Sequence, residues 1–126
     1  MILGPETHSK TWGNELWISN CHLYCGKILT VEKDKFCSLH MHVKKTEDFY
    51  ILKGSVKFEY QDGSLTSKGV AAISPLKEAI LCKGTVVRVE PYTLHRFTGL
   101  DDENQIIEIS TQHFEDDSYR LVPSCT

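Results

Sequence analysis

Two histidines separated by one residue, His40 and His42, are followed by Glu47, and a third, His95, comes much later, just after Pro91. In an extended strand residues i and i+2 point to the same face, so His40 and His42 can reach a single ion. Glu47 follows after Val43-Lys44-Lys45-Thr46, an interval long enough for a turn that brings the next strand alongside. Two neutral imidazoles and a carboxylate suit a divalent transition metal. His95 could complete a four-ligand set.

The elements that must position these residues read as strands. "CSLHMH" alternates, with Ser38, His40 and His42 on one face. "DFYILK" is an almost continuous apolar strand that turns at Lys53-Gly54, and "SVKFEY" alternates after it. Asp62-Gly63 predicts a tight hairpin, because both residues tolerate positive φ angles. "GVAAIS", "TVVRVEP", "LHRFTGL" and "QIIEIS" are further strands, separated by Gly, Pro and Asp turns. No segment has a convincing helical period. Short strands of this kind predict an all-β sandwich or barrel. Phe49, Ile51, Val56, Phe58, Val87, Val89, Ile107 and Ile109 are the expected core.

A chain of 126 residues fits one compact domain. Its net charge of −3 offers no clustered cation to a nucleic acid or an anionic membrane. The N-terminal "MILGPETHSK" lacks the basic and apolar segments of a signal peptide, and no apolar run is long enough for a membrane helix. A cytoplasmic location is expected. The five cysteines are an odd count without a secretion signal, which predicts free, mostly buried thiols rather than a disulfide framework. His8, His22 and His113 have no partner pattern and are expected at the surface. Trp12 and Trp17 read as core or subunit-contact residues.

The segment from 37 to 54 resembles the first motif of the cupins, a family whose motif runs Gly, five residues, His-x-His, three or four residues, Glu, six residues, Gly. His40-Met41-His42, Glu47 and Gly54 fit that spacing, and Asp34 stands at the position of the leading glycine. The segment from 84 to 97 is similar to the second motif, with Gly84, Pro91 and His95 in order, altered spacing, and Thr93 in place of a glycine. The resemblance implies that residues 1–126 form a single cupin domain, a double-stranded β-helix or jelly roll. It also implies that His40, His42, Glu47 and His95 point inward at a divalent metal ion, with zinc, iron, manganese or nickel as candidates.

A narrower resemblance rests on "KTWGNELW", "SLHMHVKKTEDFYILKG", "VEPYTLHRF" and "IIEISTQHFEDDSYRL". In this order they are similar to patterns of the cupin domain of type II mannose-6-phosphate isomerases and related sugar isomerases. His40 departs from that pattern, in which glutamine is usual. The resemblance implies a metal-dependent isomerase or epimerase of a sugar or sugar phosphate, working through an enediolate. Such a reaction needs a base for the migrating proton and a means of steadying the enediolate oxygens. Glu47, as ligand and candidate base, Glu108, if its strand face is inward, and Arg120, as a group that grips substrate, are the candidate catalytic residues. Against these stand an exposed edge carboxylate at Glu108 and a local salt bridge from Arg120 to Asp116 or Asp117. Two other readings remain open: a different cupin enzyme, such as an iron dioxygenase or a small-acid lyase, and a non-catalytic sugar- or metal-binding module. "DFYILK" is apolar on both faces, which predicts a homodimer.

Overall fold

A computed structural model describes all residues, 1–126. Twelve strands carry the chain: β1 (Glu6–Lys10), β2 (Gly13–Asn20), β3 (Cys25–Glu32), β4 (Leu39–Met41), β5 (Glu47–Lys53), β6 (Ser55–Thr66), β7 (Gly69–Ala72), β8 (Lys77–Cys82), β9 (Val86–Val89), β10 (Thr93–Gly99), β11 (Glu103–Ser110) and β12 (Tyr119–Val122). They pair antiparallel into two six-stranded sheets. One has the order β1-β2-β3-β11-β5-β9. The other runs β12-β4-β10-β6-β7, with β8 paired to β6. The inner faces enclose the core, giving the all-β jelly roll expected from the strand pattern. No helix is long and apolar enough to cross a membrane.

The main core cluster includes Trp12, Leu29, Phe49, Ile51, Val56, Phe58, Val89, Phe97 and Ile106. A second cluster of Leu39, Met41 and Leu94 lies on β4 and β10. The odd-numbered residues of β4 therefore anchor it in apolar surroundings, while His40 takes the other face. Two glycine-motif positions carry left-handed backbone. Asp34 has φ 63°, and Gly54 has φ 72°. A Cβ at Gly54 would lie 2.2 Å from the Glu103 carbonyl oxygen.

Three expectations need correction. Asp62-Gly63 is not a hairpin, because β6 runs through it to Thr66 and the turn follows at Ser67-Lys68. Gly63 is there for close packing: a Cβ would meet Met41 Sδ at 2.8 Å. Ile107 and Ile109 are not core residues. Ile109 is 62% exposed, and the inward face of β11 is Asn104, Ile106, Glu108 and Ser110. Alternation separates Ile107 and Ile109 from Ile106, Glu108 and Ser110, and it is the second, more polar face that turns inward. Finally, only Cys25 among the free thiols is buried, and Cys82 is exposed.

The outer face of the first sheet carries an unbroken row in register across five strands. Leu16 opposes Ile28, Ile28 opposes Ile107, Ile107 opposes Tyr50, and Tyr50 opposes Val86. Ile109 and Ile18 flank this row and are exposed.

Candidate metal centre

His40 and His95 are cross-strand partners on β4 and β10, and His42 follows directly after β4. One nitrogen from each of the three rings lies within 4.8 Å of the others. Each Nδ1 is turned to a backbone carbonyl: His40 to Ser38 at 2.8 Å, His42 to Asp117 at 2.6 Å and His95 to Thr93 at 2.9 Å. An Nδ1–H facing a carbonyl must donate, which leaves the Nε2 lone pairs free for an ion. Asp117 braces this arrangement from below, its carboxylate accepting the Val43 and Lys44 amides.

Glu47 opens β5 and is 2% exposed. Its Oε1 lies 3.4 Å from His42 Nε2, and its Oε2 lies 3.2 Å from His95 Nε2. Oε2 is buried and without a hydrogen-bond partner. Burial opposes ionisation of Glu47, but the contacts with His42 and His95 outweigh it and hold the carboxyl well below the usual range. Burial, reinforced by the neighbouring His95 and His42, keeps His40 well below the usual imidazole value. Burial also disfavours charge on His42, yet Glu47 raises it. Three free imidazole nitrogens and an unsatisfied buried carboxylate oxygen fit a first-row divalent ion. The three histidines form the tight group, and Glu47 touches two of them.

The carboxylate on β11 is not an exposed edge group. Glu108 is 4% exposed. It lies 2.7 Å from the Lys45 ammonium and accepts the Ser110 hydroxyl at 2.9 Å. Lys45, only 2% exposed, also lies 3.2 Å from Glu47 and donates to His113 Nδ1 at 3.2 Å. Burial alone would lower its pKa, but Glu108 and Glu47 raise it above the usual lysine value. Lys45 escaped the strand pattern because the bend at Val43-Lys44 breaks the alternation that links His40 to His42.

A cavity of about 650 Å³ opens onto the three histidines, a size suited to a small-molecule ligand. Arg120 is the cross-strand partner of His40 on β12. It is exposed at the cavity mouth and makes no ion pair with Asp116 or Asp117. His113 and His8, expected at the surface, also line the cavity, as does Trp17. His8 stacks on Trp17 with ring centroids 4.2 Å apart, and His113 meets Trp17 edge-on at 5.2 Å. Burial, together with the charges of Lys27 and Lys45, lowers the His113 pKa to about 4.

A jelly roll that gathers His-x-His, a following glutamate and a later histidine inside the barrel defines a cupin. More narrowly, the chain belongs to the D-lyxose isomerase family, whose sequence profile matches residues 13–120. No curated protein matches the chain. Among solved structures, the capsular polysaccharide assembling protein CapF of Staphylococcus aureus is similar over 94% of this chain, with 15% identity and a TM-score of 0.78. Oxalate decarboxylase of Bacillus subtilis, studied for its Mn(II) centres, is similar over 92%, with 17% identity and a TM-score of 0.73. KdgF of a Halomonas species is similar over 90%, with 10% identity and a TM-score of 0.70. This chain spans 34% of the CapF chain, 30% of the decarboxylase chain and 92% of the KdgF chain. At these identities the likeness establishes the fold alone.

Proposed function

We propose that this chain is a metal-dependent isomerase that interconverts an aldose and its ketose, with a sugar or sugar phosphate as substrate. The observation that carries the reading is the buried Lys45, held between Glu47 and Glu108 beside the three histidines. His40, His42, His95 and Glu47 would hold the ion. When bound, a divalent ion would polarise the substrate carbonyl as a Lewis acid.

The chain's own groups divide the remaining work. Lys45 is kept charged by Glu108 and Glu47, which unfits it as the base. Its three N–H groups face Glu108, Glu47 and His113, so it serves through its positive charge, steadying negative charge that develops on the substrate oxygens. Glu108 is the neighbouring carboxylate that the metal set does not use, and we assign it the proton transfer. Ser110 fixes its orientation. Arg120, at the mouth, meets the substrate on entry. The aromatic and aliphatic walls, Phe49, Phe97, Leu29 and Val31, limit the access of water.

The test is to supply Mn²⁺ to the purified protein, offer D-lyxose and a panel of free and phosphorylated aldoses, and measure ketose formation. Interconversion that chelation abolishes and that Glu108→Gln reduces at least about a hundredfold is expected. A loaded protein that converts no aldose sinks the reading.

The apolar row Leu16–Ile28–Ile107–Tyr50–Val86 supports a homodimer, because its five side chains stay in register across one outer face. A twofold contact is the commonest way to cover such a face. Five unpaired cysteines support a reducing, cytoplasmic setting.

A further inference from the structure

The turn Glu90-Pro91-Tyr92-Thr93 leads from β9 into β10, and in it the Thr93 amide donates to the Glu90 carbonyl at 3.3 Å. Proline fixes its own φ at about −65°, and Tyr92 has φ 65°. A positive φ at the third residue alone makes this a type II turn, whose third position favours glycine. Here it carries a tyrosine that is 44% exposed, so burial of the ring offsets little of the strain. Left-handed backbone disfavours a side chain by a factor of about five to thirty in an equilibrium. Strain of this kind persists only where the surrounding structure holds it, and it gathers at functional sites.

The histidine cluster's own backbone helps to hold it. The Tyr92 amide donates to the His42 carbonyl at 2.8 Å, and the Gly63 amide donates to the Tyr92 carbonyl at 2.8 Å. The next carbonyl, that of Thr93, accepts from His95 Nδ1. His42 needs such support, because β4 ends at Met41 and no strand pairing places His42. Type I and type II turns differ by a half-rotation of their central peptide, which here is Pro91–Tyr92. In a type I turn Tyr92 would regain an ordinary negative φ. Its N–H would then point away from His42, and the Pro91 carbonyl would turn towards the His42 carbonyl. The Tyr92–Thr93 peptide stays in place through such a flip, so Gly63 and His95 keep their bonds. The flip therefore acts on His42 alone.

We propose that the Pro91–Tyr92 peptide is a two-state latch on His42. In its type II state it fixes the His42 backbone for an ion, and in its type I state it lets that backbone go and loosens the end of β4. This rests on reading the histidine cluster as a metal centre. The non-glycine residue at position 92 sets the balance by keeping the released state within reach. Tyr92 is then a positioning residue for His42, acting through its backbone conformation and not through its phenol. A glycine there would hold the latch shut.

The test loads the full chain with Mn²⁺ and follows its release into excess chelator, with amide hydrogen exchange measured on the metal-free chain. In the parent, the Tyr92 amide should exchange while the Gly63 amide, held by the Tyr92 carbonyl, stays protected. Tyr92→Gly removes the strain, so it should slow Mn²⁺ release at least about fivefold and raise protection at residue 92 by a similar factor. Tyr92→Ala keeps the strain and loses the phenol, so it should behave as the parent does. Asp34→Gly relieves the other left-handed non-glycine residue, whose amide bonds to Gly99 and not to a histidine. It too should release Mn²⁺ at the parental rate, which a general effect of stability would not allow. Parental release from Tyr92→Gly, equal slowing in Tyr92→Ala or Asp34→Gly, or joint exchange of the Tyr92 and Gly63 amides would overturn the latch and leave the metal centre standing. A parent that takes up no Mn²⁺ would overturn both.

Discussion

His40 and His95 oppose each other across β4 and β10, with ring centroids 4.5 Å apart, and each turns its Nδ1 to the carbonyl two residues before it. The same local hydrogen bond on two facing strands aims both Nε2 atoms at one point. His42 joins them from the end of β4, its Nδ1 held by Asp117.

Replacing His42 by alanine should leave the protein folded while it loses its ion. The main core cluster does not include His42, and a domain with such a core does not depend on a metal to fold. Far-UV circular dichroism and metal content measured together check this, and aldose–ketose interconversion should vanish with the ion. An unfolded variant would make the site structural, and full activity without the ion would remove the metal from the reaction.

Asp117→Ala should weaken the site from outside it. The variant leaves the Val43 and Lys44 amides without their acceptor and frees the segment whose carbonyl orients His42. Stability should fall by about 1–3 kcal/mol, and metal affinity by about tenfold or more. Denaturant unfolding and a metal titration give the two numbers.

His113 should give the metal-free protein an acid-sensitive component of stability. Its pKa is about 4 in the fold, below the usual imidazole value of 6.5, so the unfolded chain binds the extra proton between those values. Stability is then fully present above pH 6.5 and is lost as pH falls towards 4, by about 1–3 kcal/mol. Burial drives the shift, the charges of Lys27, Lys45 and His42 add to it, and Glu15 opposes it. His113→Gln should flatten that part of the curve, and a variant as acid-sensitive as the parent would count against it.

Gly54→Ala and Asp34→Gly should move stability in opposite directions. The first puts a side chain at φ 72° against the Glu103 carbonyl and should cost about 2–4 kcal/mol. The second relieves a non-glycine residue at φ 63° and should stabilise by up to about 1 kcal/mol. Thermal melts of the two variants beside the parent decide both.

Ile109→Glu, on the exposed face, should convert the proposed dimer to a monomer while leaving the melt of the isolated subunit close to that of the parent. Light scattering on the parent near 14.4 kDa at micromolar concentration would remove the dimer.

The metal cluster was legible because its signal is local. His40 and His42 share a face by alternation, and the spacing to Glu47 and Gly54 follows a known motif. The charged groups around it were not. Lys45 lies past the bend at Val43-Lys44, and His113 and Asp117 lie between β11 and β12, where no period assigns a face. Ile107 and Ile109 misled for a related reason: period-2 spacing separates the two faces of β11 but does not say which is inside, and here the polar one is. Asp62-Gly63 carried a turn signal that a long strand overrode, because the glycine was needed under Met41.

The short β4 has a consequence for how the protein breathes. It is three residues long, and its neighbour Leu39–Met41–Leu94 cluster is separate from the main cluster. Native proteins open in parts, and parts with few buried contacts open first. Amides of β4 and β12 should therefore exchange with deuterium through a local opening, while those of β3, β5 and β11 wait for global unfolding. An ion would then enter or leave a barrel whose larger sheet stays closed, at a rate set by that local opening.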